Sequence, residues 1–512
     1  MGLMCGIDVG TTGAKAALFT AAGELVSDGY AEYPVEYPHG GWAEQDPELW
    51  WKAVCSSIGS MLGRVPISFV PASIEAVAVS AQAPTMLPLD ARMCPVRPAL
   101  IWMDRRADRE ALELAGQFGE DELFVRTGNR PDPYYVAPKI LWFRKNEPEA
   151  FAKTRWFASI TGFINYRLTG VLTMDPVHAA LLGLRSWEGR EWLDEVSRYC
   201  GVEAGRFPEV LAGDAVIGEV TRSAADECGL PAGTMVVNGN VDGSVAALEA
   251  GAFEPGTIAE MTGTSTVLLM PNRSGLTHRS FTAMPHAIEG ISLLIAAMSA
   301  TGASLKWFRD ELGEGERVRA AQTGVDAYDL LGDLAATAEA GSGGVVFLPY
   351  MMGERAPIWD SNARGVFFGL TLSTTRAQMV RSVMEATAFA LRHNVEVARE
   401  AGIQIEELRS VGGGARSELW NQIKADILGI PVAIPERSGG AVFGDAVLAG
   451  MGAGLIDDPE AFVSRVVRIR RHYEPDSSVS DIYEAQYRTY REIYTRLRPV
   501  FDRAIGGIRD AG

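Results

Sequence analysis

The chain contains two similar stretches, GIDVGTTGAKAALF at residues 6–19 and IAEMTGTSTVLLM at residues 258–270. Each is an apolar run, a short turn rich in glycine and threonine, and a second apolar run, which is the pattern of a β-hairpin. The tip of such a hairpin presents backbone N–H groups and hydroxyl groups, and clustered N–H donors form a concavity that binds phosphate oxygens. Because the motif occurs twice, about half the chain apart, the sequence predicts two similar domains that serve one nucleotide.

The composition is that of a soluble globular protein of more than one domain: 512 residues, 47% hydrophobic and 22% charged. A net charge of −18 argues against a nucleic-acid surface, because a phosphate backbone would be repelled. The five cysteines are scattered, which indicates neither a disulfide framework nor a zinc site. We expect no membrane segment and no secretory signal, and therefore a cytoplasmic location.

Strands and helices alternate in both halves, which predicts an α/β protein with mixed sheets. A boundary near residue 240 gives two domains, 1–240 and 241–512. Residues 210–220 are typical of a pair of short strands. Residues 314–340 are acidic and rich in alanine, which is typical of an exposed helical segment. The last helix is predicted over residues 482–503 as a surface helix. One interpretation is that it packs back on the first domain.

Two charged residues accompany the first hairpin. Asp8 lies two residues before the turn, and strand alternation places it on the same face as Gly10. A carboxylate there suits a Mg²⁺ ion or its waters beside the phosphates, although a strand-end aspartate near a turn is the alternative. Lys15 is either a phosphate contact or a solvated strand lysine.

Asp242 stands in GNVDGSVAALEAG (239–251), where a strand gives way to a helix. Aspartate is a preferred N-cap residue, so a capping role is one interpretation. The other is a general base, which must reach the hydroxyl proton of a phosphate acceptor within hydrogen-bond distance. The local sequence alone favours the cap.

The glycine triplet at residues 412–414 follows a strand and opens a helix. It resembles part of a dinucleotide-binding fingerprint, but Ser417 replaces the third glycine, so a Rossmann oxidoreductase is a minor alternative. Glycines at such a turn also let the backbone lie against a flat ligand such as adenine. The chain has neither a P-loop motif nor a protein-kinase catalytic loop, so an ATP enzyme would belong to neither of those classes.

Longer motifs resemble the FGGY carbohydrate kinases over nearly the whole chain. One signature of that family is met in full by GVFFGLTLSTTRAQMVRSVME (365–385), and the other in part by VAPKILWFRKN (136–146), where Val136 replaces the usual Pro, Ser or Thr. The segments GWAEQDP (41–47) and GERAP (353–357) are similar to the xylulokinase branch. The resemblance implies two actin-like ATPase domains of ribonuclease H-like fold, with a cleft between them, that phosphorylate a sugar.

The resemblance also implies roles for individual residues. Asp242 is similar to the base that deprotonates the sugar hydroxyl, and Asp8 to a residue near Mg²⁺. The residues implied to bind ATP are Thr11, Thr12, Lys15, Gly263, Thr264, Gly413, Gly414 and Ala415. Those implied to contact the substrate are Gln82, Trp102, Asp104, Tyr134 and Asp242. The predicted partners are a small sugar or polyol and, in a homodimer, a second copy of the chain.

Two positions depart from the known branches. Ala83-Pro84 follows Gln82 where xylulokinases carry Met-His-Gly and glycerol kinases Arg-Glu, and Gly243 follows Asp242 where glutamine is common. These changes predict an altered or looser preference for the sugar, with xylulose or a related ketopentose as the first expectation and another polyol as the second. A nucleotide-dependent switch of the actin-like fold and a silent sugar binder are the remaining alternatives.

Overall fold

A computed structural model describes residues 2–66, 73–187, 191–436 and 441–509, and the chain divides into two compact units. The first comprises the described residues within 1–253, 273–293 and 439–467, and the second those within 254–272, 294–438 and 468–512. Each unit is therefore assembled from three separate segments. The predicted boundary at 240/241 falls inside the first unit, because the chain continues there to Phe253 and returns twice.

Elements are numbered along the whole chain. The strands of the first unit are β1 (Leu3–Val9), β2 (Gly13–Thr20), β3 (Leu25–Glu32), β4 (Glu44–Gln45), β5 (Ile74–Ala81), β6 (Leu87–Leu89), β7 (Ala99–Leu100), β8 (Trp156–Ala158), β9 (Thr173–Met174), β10 (Glu209–Val210), β11 (Val216–Glu219), β12 (Met235–Val241) and β15 (Thr282–Pro285). Its helices are α1 (Pro47–Leu62), α2 (Asp108–Phe118), α3 (Glu120–Thr127), α4 (Val136–Asn146), α5 (Pro148–Lys153), α6 (Ile160–Thr169), α7 (Pro176–Ala180), α8 (Asp194–Cys200), α9 (Arg222–Cys228), α10 (Asp242–Glu249), α16 (Val442–Gly452) and α17 (Pro459–Val466).

The main sheet of the first unit has the strand order β11-β12-β5-β1-β2-β3. Strand β1 pairs antiparallel with β2 and parallel with β5, so the sheet is mixed as predicted. The odd-numbered residues of β1 pack in the core beneath α1, and Met4 packs in the core beneath α10 and α16. By the same alternation Asp8 lies on the face covered by α10 and α16. Gly6 permits this layer, because a methyl group there would overlap the Val442 carbonyl of α16.

The strands of the second unit are β13 (Gly256–Thr262), β14 (Thr266–Asn272), β16 (Ser292–Met298, within the unit from Leu294), β17 (Val346–Leu348), β18 (Val366–Phe368), β19 (Ile405–Gly412), β20 (Val432–Pro435) and β21 (Ile469–Tyr473). Its helices are α11 (Thr301–Leu312), α12 (Glu314–Thr323), α13 (Ala327–Ala336), α14 (Arg376–Glu400), α15 (Glu418–Leu428) and α18 (Ser480–Arg509).

Those strands of the seven-stranded sheet that belong to the second unit follow one another in the order β16-β14-β13-β19-β20-β21. As in the first unit, the hairpin strand β13 pairs antiparallel with its partner β14 and parallel with the next strand, β19. The long helix α14 begins at a capping box formed by Thr375 and Gln378, and its apolar face packs with α15, α18 and β17 around Phe389. Both halves of the chain therefore build the same hairpin-plus-parallel-strand arrangement, and the predicted α/β class is confirmed.

Three local predictions differ from the structure. Residues 210–220 do not form one strand pair, because β10 pairs with β9 whereas β11 pairs with β12. The segment 314–340 is helical as predicted, but only its first helix, α12, lacks buried residues, because Leu331 and Ala335 of α13 pack in the core. The late helix that belongs to the first unit is α16, and the last helix, α18, packs in the second. Among the described residues, none of the helices has the length and apolar character needed to cross a membrane.

Candidate active site

The turn of the first hairpin, Gly10 to Thr12, is held by bonds to its carbonyl groups. The hydroxyl of Tyr33 donates a hydrogen bond to the Gly10 carbonyl, and the backbone N–H of Tyr33 donates one to the Thr12 carbonyl at 3.1 Å. The side-chain amide of Gln45 donates to the Thr11 carbonyl at 2.8 Å. In a trans peptide the C=O and the following N–H point in opposite directions. The N–H groups after these carbonyls therefore face away from the protein donors, which is the orientation that an anion-binding turn requires.

Two predicted sugar contacts are bonded to this turn. Trp102 donates its indole N–H to the hydroxyl of Thr11 at 3.1 Å. Gln82 donates its amide to Gln45 at 2.7 Å, and Gln45 in turn holds the Thr11 carbonyl. The buried Oε1 of Gln82 has no hydrogen-bond partner among the described residues. The side chains assigned to the sugar and those assigned to phosphate thus form one connected network in the first unit.

Tyr134 is positioned by a lysine that the sequence analysis did not single out. The hydroxyl of Tyr134 donates to the Ala83 carbonyl at 3.1 Å, beside Gln82. Lys139 lies fully buried on α4 and donates to the carbonyls of Ile101 at 2.8 Å and Tyr134 at 3.0 Å. Burial lowers the pKa of Lys139 to about 7. Lys139 therefore fixes the backbone on which Trp102 and Tyr134 are mounted.

Asp104 has a different environment from the other predicted sugar contacts. It is fully buried, and its carboxylate accepts hydrogen bonds from the Ala43 N–H at 2.7 Å and from Arg106 at 2.7–2.9 Å. The Arg106 guanidinium also lies 3.6 Å from the ring centroid of Trp42. In this structure Asp104 orders the 41–44 segment, and its contact with a sugar stays a prediction.

Asp8, the predicted metal residue, lies opposite Lys15 on β2 and Ser80 on β5. The pKa of Asp8 is raised to about 8, mainly by desolvation and also by the negative charges of Asp242 and Glu249, while the positive charge of Lys15 opposes the increase. Its buried Oδ1 has no hydrogen-bond partner within the described part of the chain. An unsatisfied carboxylate oxygen in a surplus of negative charge suits a hard divalent cation such as Mg²⁺.

The rest of such an ion's coordination would have to come from outside the protein side chains. Over the described ranges, no three or more His, Cys, Asp or Glu side chains converge as a metal site. Mg²⁺ commonly keeps several waters and binds through one or two carboxylates together with substrate phosphates. The residues present therefore fit a single-carboxylate contact at Asp8 rather than a protein cage.

Asp242 is the first residue of α10, directly after β12. The predicted capping role is wrong, because the N-cap is Val241 and Asp242 already belongs to the helix. Its Oδ1 accepts the N–H of Gly243 at 2.6 Å. Burial raises the pKa of Asp242 to about 6, against the opposing effects of that N–H and of His178. A carboxylate titrating near neutral pH has the basicity expected of a general base.

In the second unit, the turn Gly263–Thr264 lies at the end of β13. The Gly263 N–H donates to Ser265 at 2.9 Å, and the Ala303 N–H of α11 donates to the Thr264 carbonyl at 2.8 Å. Gly302 allows this approach, because a methyl group there would overlap the Gly263 carbonyl. Thr264 itself is exposed, so the helix fixes the turn from behind while the threonine faces solvent.

The glycine triplet lies next to the same hairpin. Strand β19 ends at Gly412 with φ of 80°, and residues Gly413–Arg416 form one 3-10 turn. A methyl group on Gly414 would stand 2.8 Å from the Thr262 side chain, so this loop packs directly on the end of β13. Gly413 is exposed, whereas Gly414 and Ala415 are buried. The second unit therefore brings its predicted nucleotide residues together, and the first unit does the same for Asp8, Thr11, Gln82, Trp102 and Tyr134.

Several residues around these groups have no local sequence signal. Gln45 and Tyr33 were not predicted, because their partners in the hairpin turn are more than twenty residues away. Glu249 accepts the N–H of Phe443 at 3.0 Å, and Asp445 accepts the hydroxyl of Ser80 at 2.8 Å. Both contacts depend on α16, which enters the first unit from late in the chain. Only the tertiary fold reveals that these acids surround Asp8.

Comparison with known proteins assigns the class. Residues 3–249 match the N-terminal domain of the FGGY family of carbohydrate kinases, and residues 259–453 match its C-terminal domain. The chain belongs to this family, which confirms the resemblance and the kinase class. FGGY kinases use ATP as a substrate, and this applies to the present chain as a member.

The relatives span the whole chain. A xylulose kinase of Bacillus subtilis is 29% identical over 503 residues, and the match covers 97% of this chain and 98% of the relative. A gluconokinase of the same organism is 28% identical over 510 residues, and the match covers 99% of this chain and 98% of the relative. A crystal structure described as a "xyloylose kinase" from Brucella ovis superposes with a TM-score of 0.87 at 30% identity, covering 97% of this chain and all of the other. The actin-like fold predicted from the motifs is therefore confirmed.

Proposed function

We propose that the chain transfers the γ-phosphate of ATP to a hydroxyl of xylulose or a related ketopentose, with Asp242 as the base. The observation that carries this proposal is the state of Asp242, a carboxylate at the start of α10. Burial raises its pKa to about 6, and its Oδ1 accepts a hydrogen bond from the Gly243 N–H. At pH 7 such a group is largely ionised and still basic enough to accept a hydroxyl proton.

The proposed reaction is an in-line displacement. Asp242 accepts the hydroxyl proton, the sugar oxygen forms a bond to the γ-phosphorus, and the bond from that phosphorus to the β-phosphate oxygen breaks, so ADP leaves with the electron pair. The N–H groups of the first hairpin turn bind phosphate oxygens, and Lys15 adds positive charge on the same strand pair. Asp8 would hold the Mg²⁺ ion, which would neutralise part of the phosphate charge when bound.

The sugar specificity is assigned to the network around Gln82. Trp102 and Tyr134 are half-buried and offer ring faces to the C–H side of a sugar, while Gln82 offers an unsatisfied amide oxygen to a hydroxyl. The first support for a ketopentose is the identity to xylulose kinases along the full chain. Gluconate is the second candidate, because a gluconokinase is similar to the chain to nearly the same degree.

The nucleotide is assigned to the second unit. Gly263, Thr264 and the loop of Gly413, Gly414 and Ala415 form one local surface, in which the exposed glycine at 413 lets a flat ring approach the backbone. Replacement of Gly413 by a residue with a large side chain is therefore expected to weaken ATP binding without changing the sugar preference.

A coupled assay of ADP release with Mg-ATP tests the proposal. The wild-type chain is offered xylulose, ribulose, gluconate and glycerol, and isothermal calorimetry measures ATP binding in parallel. We expect the largest stimulation from a ketopentose. Stimulation by gluconate alone would keep the kinase and change the substrate, whereas ATP binding with no response to any acceptor would favour the nucleotide-dependent switch.

We further propose a cytoplasmic location and a homodimer as the working state. The location is supported by the five cysteines, all of which are free, because disulfides are typical of oxidising compartments. Light scattering coupled to size exclusion measures the mass directly against the monomer value of 55.2 kDa.

A further inference from the structure

Strand β12, which leads to Asp242, contains one extra residue relative to its neighbour β5. The two strands pair in parallel, and Val237 lies opposite Ala78 whereas Asn240 lies opposite Ser80. Two residues of β12 therefore stand between these pairs where β5 has one. One extra residue in one strand of a pair is a β-bulge, and bulges next to functional sites re-aim a side chain.

The bulge reverses the faces to which the side chains of β12 point. Before it, Val236 packs in the core beneath α1, and Val237 packs in the core beneath α10 and α16. After it, Asn240 is paired with Ser80, and the Ser80 hydroxyl donates to Asp445 of α16 at 2.8 Å. Even-numbered residues of β12 therefore lie on the α1 face before the bulge and on the α16 face after it, because one added residue shifts the alternation by one.

The bulge also determines where Asp242 lies. Val241 is paired with Ala81, so Asp242 follows at the level of the next residue of β5, Gln82. The helix that Asp242 begins packs with α16 on the face of the sheet that carries Asp8. Without the bulge, Asp242 would lie one residue, about 3.3 Å, further along β5 and would follow a strand of reversed alternation.

The backbone of the bulge has the form that an extra residue requires. Gly239 has φ of 80°, and a methyl group there would lie 1.9 Å from the Val79 carbonyl oxygen, so only glycine fits. The Asn238 N–H donates to the Ala215 carbonyl at 2.9 Å, and the Gly239 N–H donates to the Gly213 carbonyl at 2.8 Å. Both bulge residues are thus bonded to the segment that precedes β11, and the extra residue is a fixed part of the sheet.

Buried side chains from β9 and α6 hold the bulge. The hydroxyl of Thr173 donates to Oδ1 of Asn238 at 2.7 Å, and the side-chain amide of Asn165 donates to the Asn238 carbonyl at 2.7 Å. The hydroxyl of Thr161 donates to the Asn240 carbonyl at 3.3 Å. All five residues are at most 2% exposed. Burying amide and hydroxyl groups costs free energy unless they are hydrogen-bonded, so these bonds favour one conformation of the bulge.

We propose that the bulge in β12, held by Thr161, Asn165 and Thr173, positions Asp242 for proton transfer. These three side chains act through the backbone of β12 and not on the substrate, so they are positioning residues. A misplacement of about 1 Å can lower a rate about 10²-fold, which makes the register of β12 a requirement of the reaction. The proton still passes from the sugar hydroxyl to Asp242. This inference deepens the proposed function, and it rests on the role of Asp242 as the base.

Steady-state kinetics of Thr173→Val test the inference, because valine keeps the shape of the side chain and removes the donor to Asn238. We expect kcat for sugar-dependent ADP release to fall about tenfold while KM for ATP stays within about twofold, since only the base is displaced. Thr173→Ser keeps the hydroxyl and is expected to recover most of the loss. The matched control is Thr387→Val, at a fully buried threonine of α14 in the second unit, which is expected to keep the wild-type kcat. An unchanged kcat in Thr173→Val, or an equal loss in Thr173→Ser, would overturn the inference.

Crystal structures of the wild type and of Thr173→Val give a second readout that does not depend on turnover. The Asp242 carboxylate is expected to move relative to Asp8 by about 0.5 Å or more, which exceeds the tolerance of a catalytic geometry. If Thr173→Val does not fold, Thr161→Val, which removes a longer bond, takes its place in both measurements. Superposable positions of Asp242 would refute the inference. If no sugar stimulates ADP release by the wild type, the proposed function fails, and the position of Asp242 in the variant alone decides whether these side chains hold the bulge.

Discussion

The acidic residues of the two hairpins lie in opposite environments: one is fully hydrogen-bonded and the other is not. Glu260 on β13 is fully buried and saturated: Lys424 donates to its two oxygens at 3.1 and 2.9 Å, and the hydroxyls of Thr262 and Ser410 donate to it as well. Asp8 on β1 has an oxygen without a partner among the described residues and a pKa raised to about 8.

This difference distinguishes an acid that is compensated within the fold, Glu260, from an acid that we propose to bind a ligand, Asp8. A buried carboxylate with a cation and hydroxyl donors is compensated inside the fold, and removing one partner leaves an uncompensated charge. A carboxylate that the fold leaves unsatisfied keeps its coordination free for a ligand, at a cost in stability. The contrast therefore concerns the two acids and not the turns: Glu260 belongs to the scaffold of its hairpin, whereas we propose that Asp8 is left available for a ligand.

Asp242→Asn is expected to give the largest effect. The amide cannot accept the hydroxyl proton, and loss of general-base catalysis lowers kcat by about 10²–10⁴-fold. Steady-state ADP release measures this, with calorimetry to show that ATP and sugar still bind. Asp326→Asn is the matched control, since asparagine caps α13 as well as aspartate does. Near-normal turnover in Asp242→Asn would remove it from the reaction.

Lys424→Met is expected to cost stability instead of catalysis. Removing one partner of a buried ion pair costs about 3–5 kcal/mol, because the other charge stays buried. Urea denaturation followed by tryptophan fluorescence measures the shift in the midpoint. The double variant Lys424→Met with Glu260→Gln removes both charges and is expected to recover part of the loss. Equal midpoints for wild type and Lys424→Met would contradict the structural assignment.

Asp8 makes a prediction about pH. Its pKa is higher in the folded chain, about 8, than its ordinary value of 3.8. Protonation of Asp8 is therefore favoured by folding, and this stabilisation is complete below pH 4 and lost as the pH rises through 8. Asp8→Asn cannot ionise, so its stability relative to the wild type is expected to increase between pH 5 and 8. Thermal unfolding over this range measures the difference, and parallel curves would show that Asp8 is not perturbed.

Trp102→Phe is expected to give the smallest effect. It removes the hydrogen bond to Thr11 and keeps most of the ring, so the loss is about 0.5–1.5 kcal/mol, or roughly two- to tenfold in KM. The control is Trp187→Phe, whose indole N–H donates at 3.4 Å to the Gly275 carbonyl elsewhere in the first unit. Identical KM values for both variants would show that the Trp102 bond does not hold the turn.

Sequence patterns within a single strand or turn were sufficient to predict the hairpins. The two hairpins follow from apolar runs around Gly-Thr turns, and alternation places Asp8 on one face of β1. The position of α16 was not predictable, because its approach depends on Gly6, more than four hundred residues earlier.

The candidate site divides in the same way. Gln82 and Trp102 were predicted by resemblance, and the structure shows what the sequence could not: both are bonded into the hairpin turn, one directly and one through Gln45. Asp104 was predicted on the same basis, but its ion pair with Arg106 is invisible in the sequence because each residue alone is an ordinary charged group. The negative charges of Asp8, Glu249 and Asp242 act on Asp445 from separate segments of the chain, so only the fold brings them together.

The most direct test of this comparison measures turnover and stability together in two matched amide variants, Asp8→Asn and Glu260→Gln. Sugar-dependent ADP release and the urea midpoint are determined on the same preparations. We predict that Asp8→Asn loses turnover while its midpoint stays at or above that of the wild type, and that Glu260→Gln loses stability while its folded fraction keeps near-normal turnover. The reverse pattern, or equal losses of both quantities in the two variants, would contradict the account.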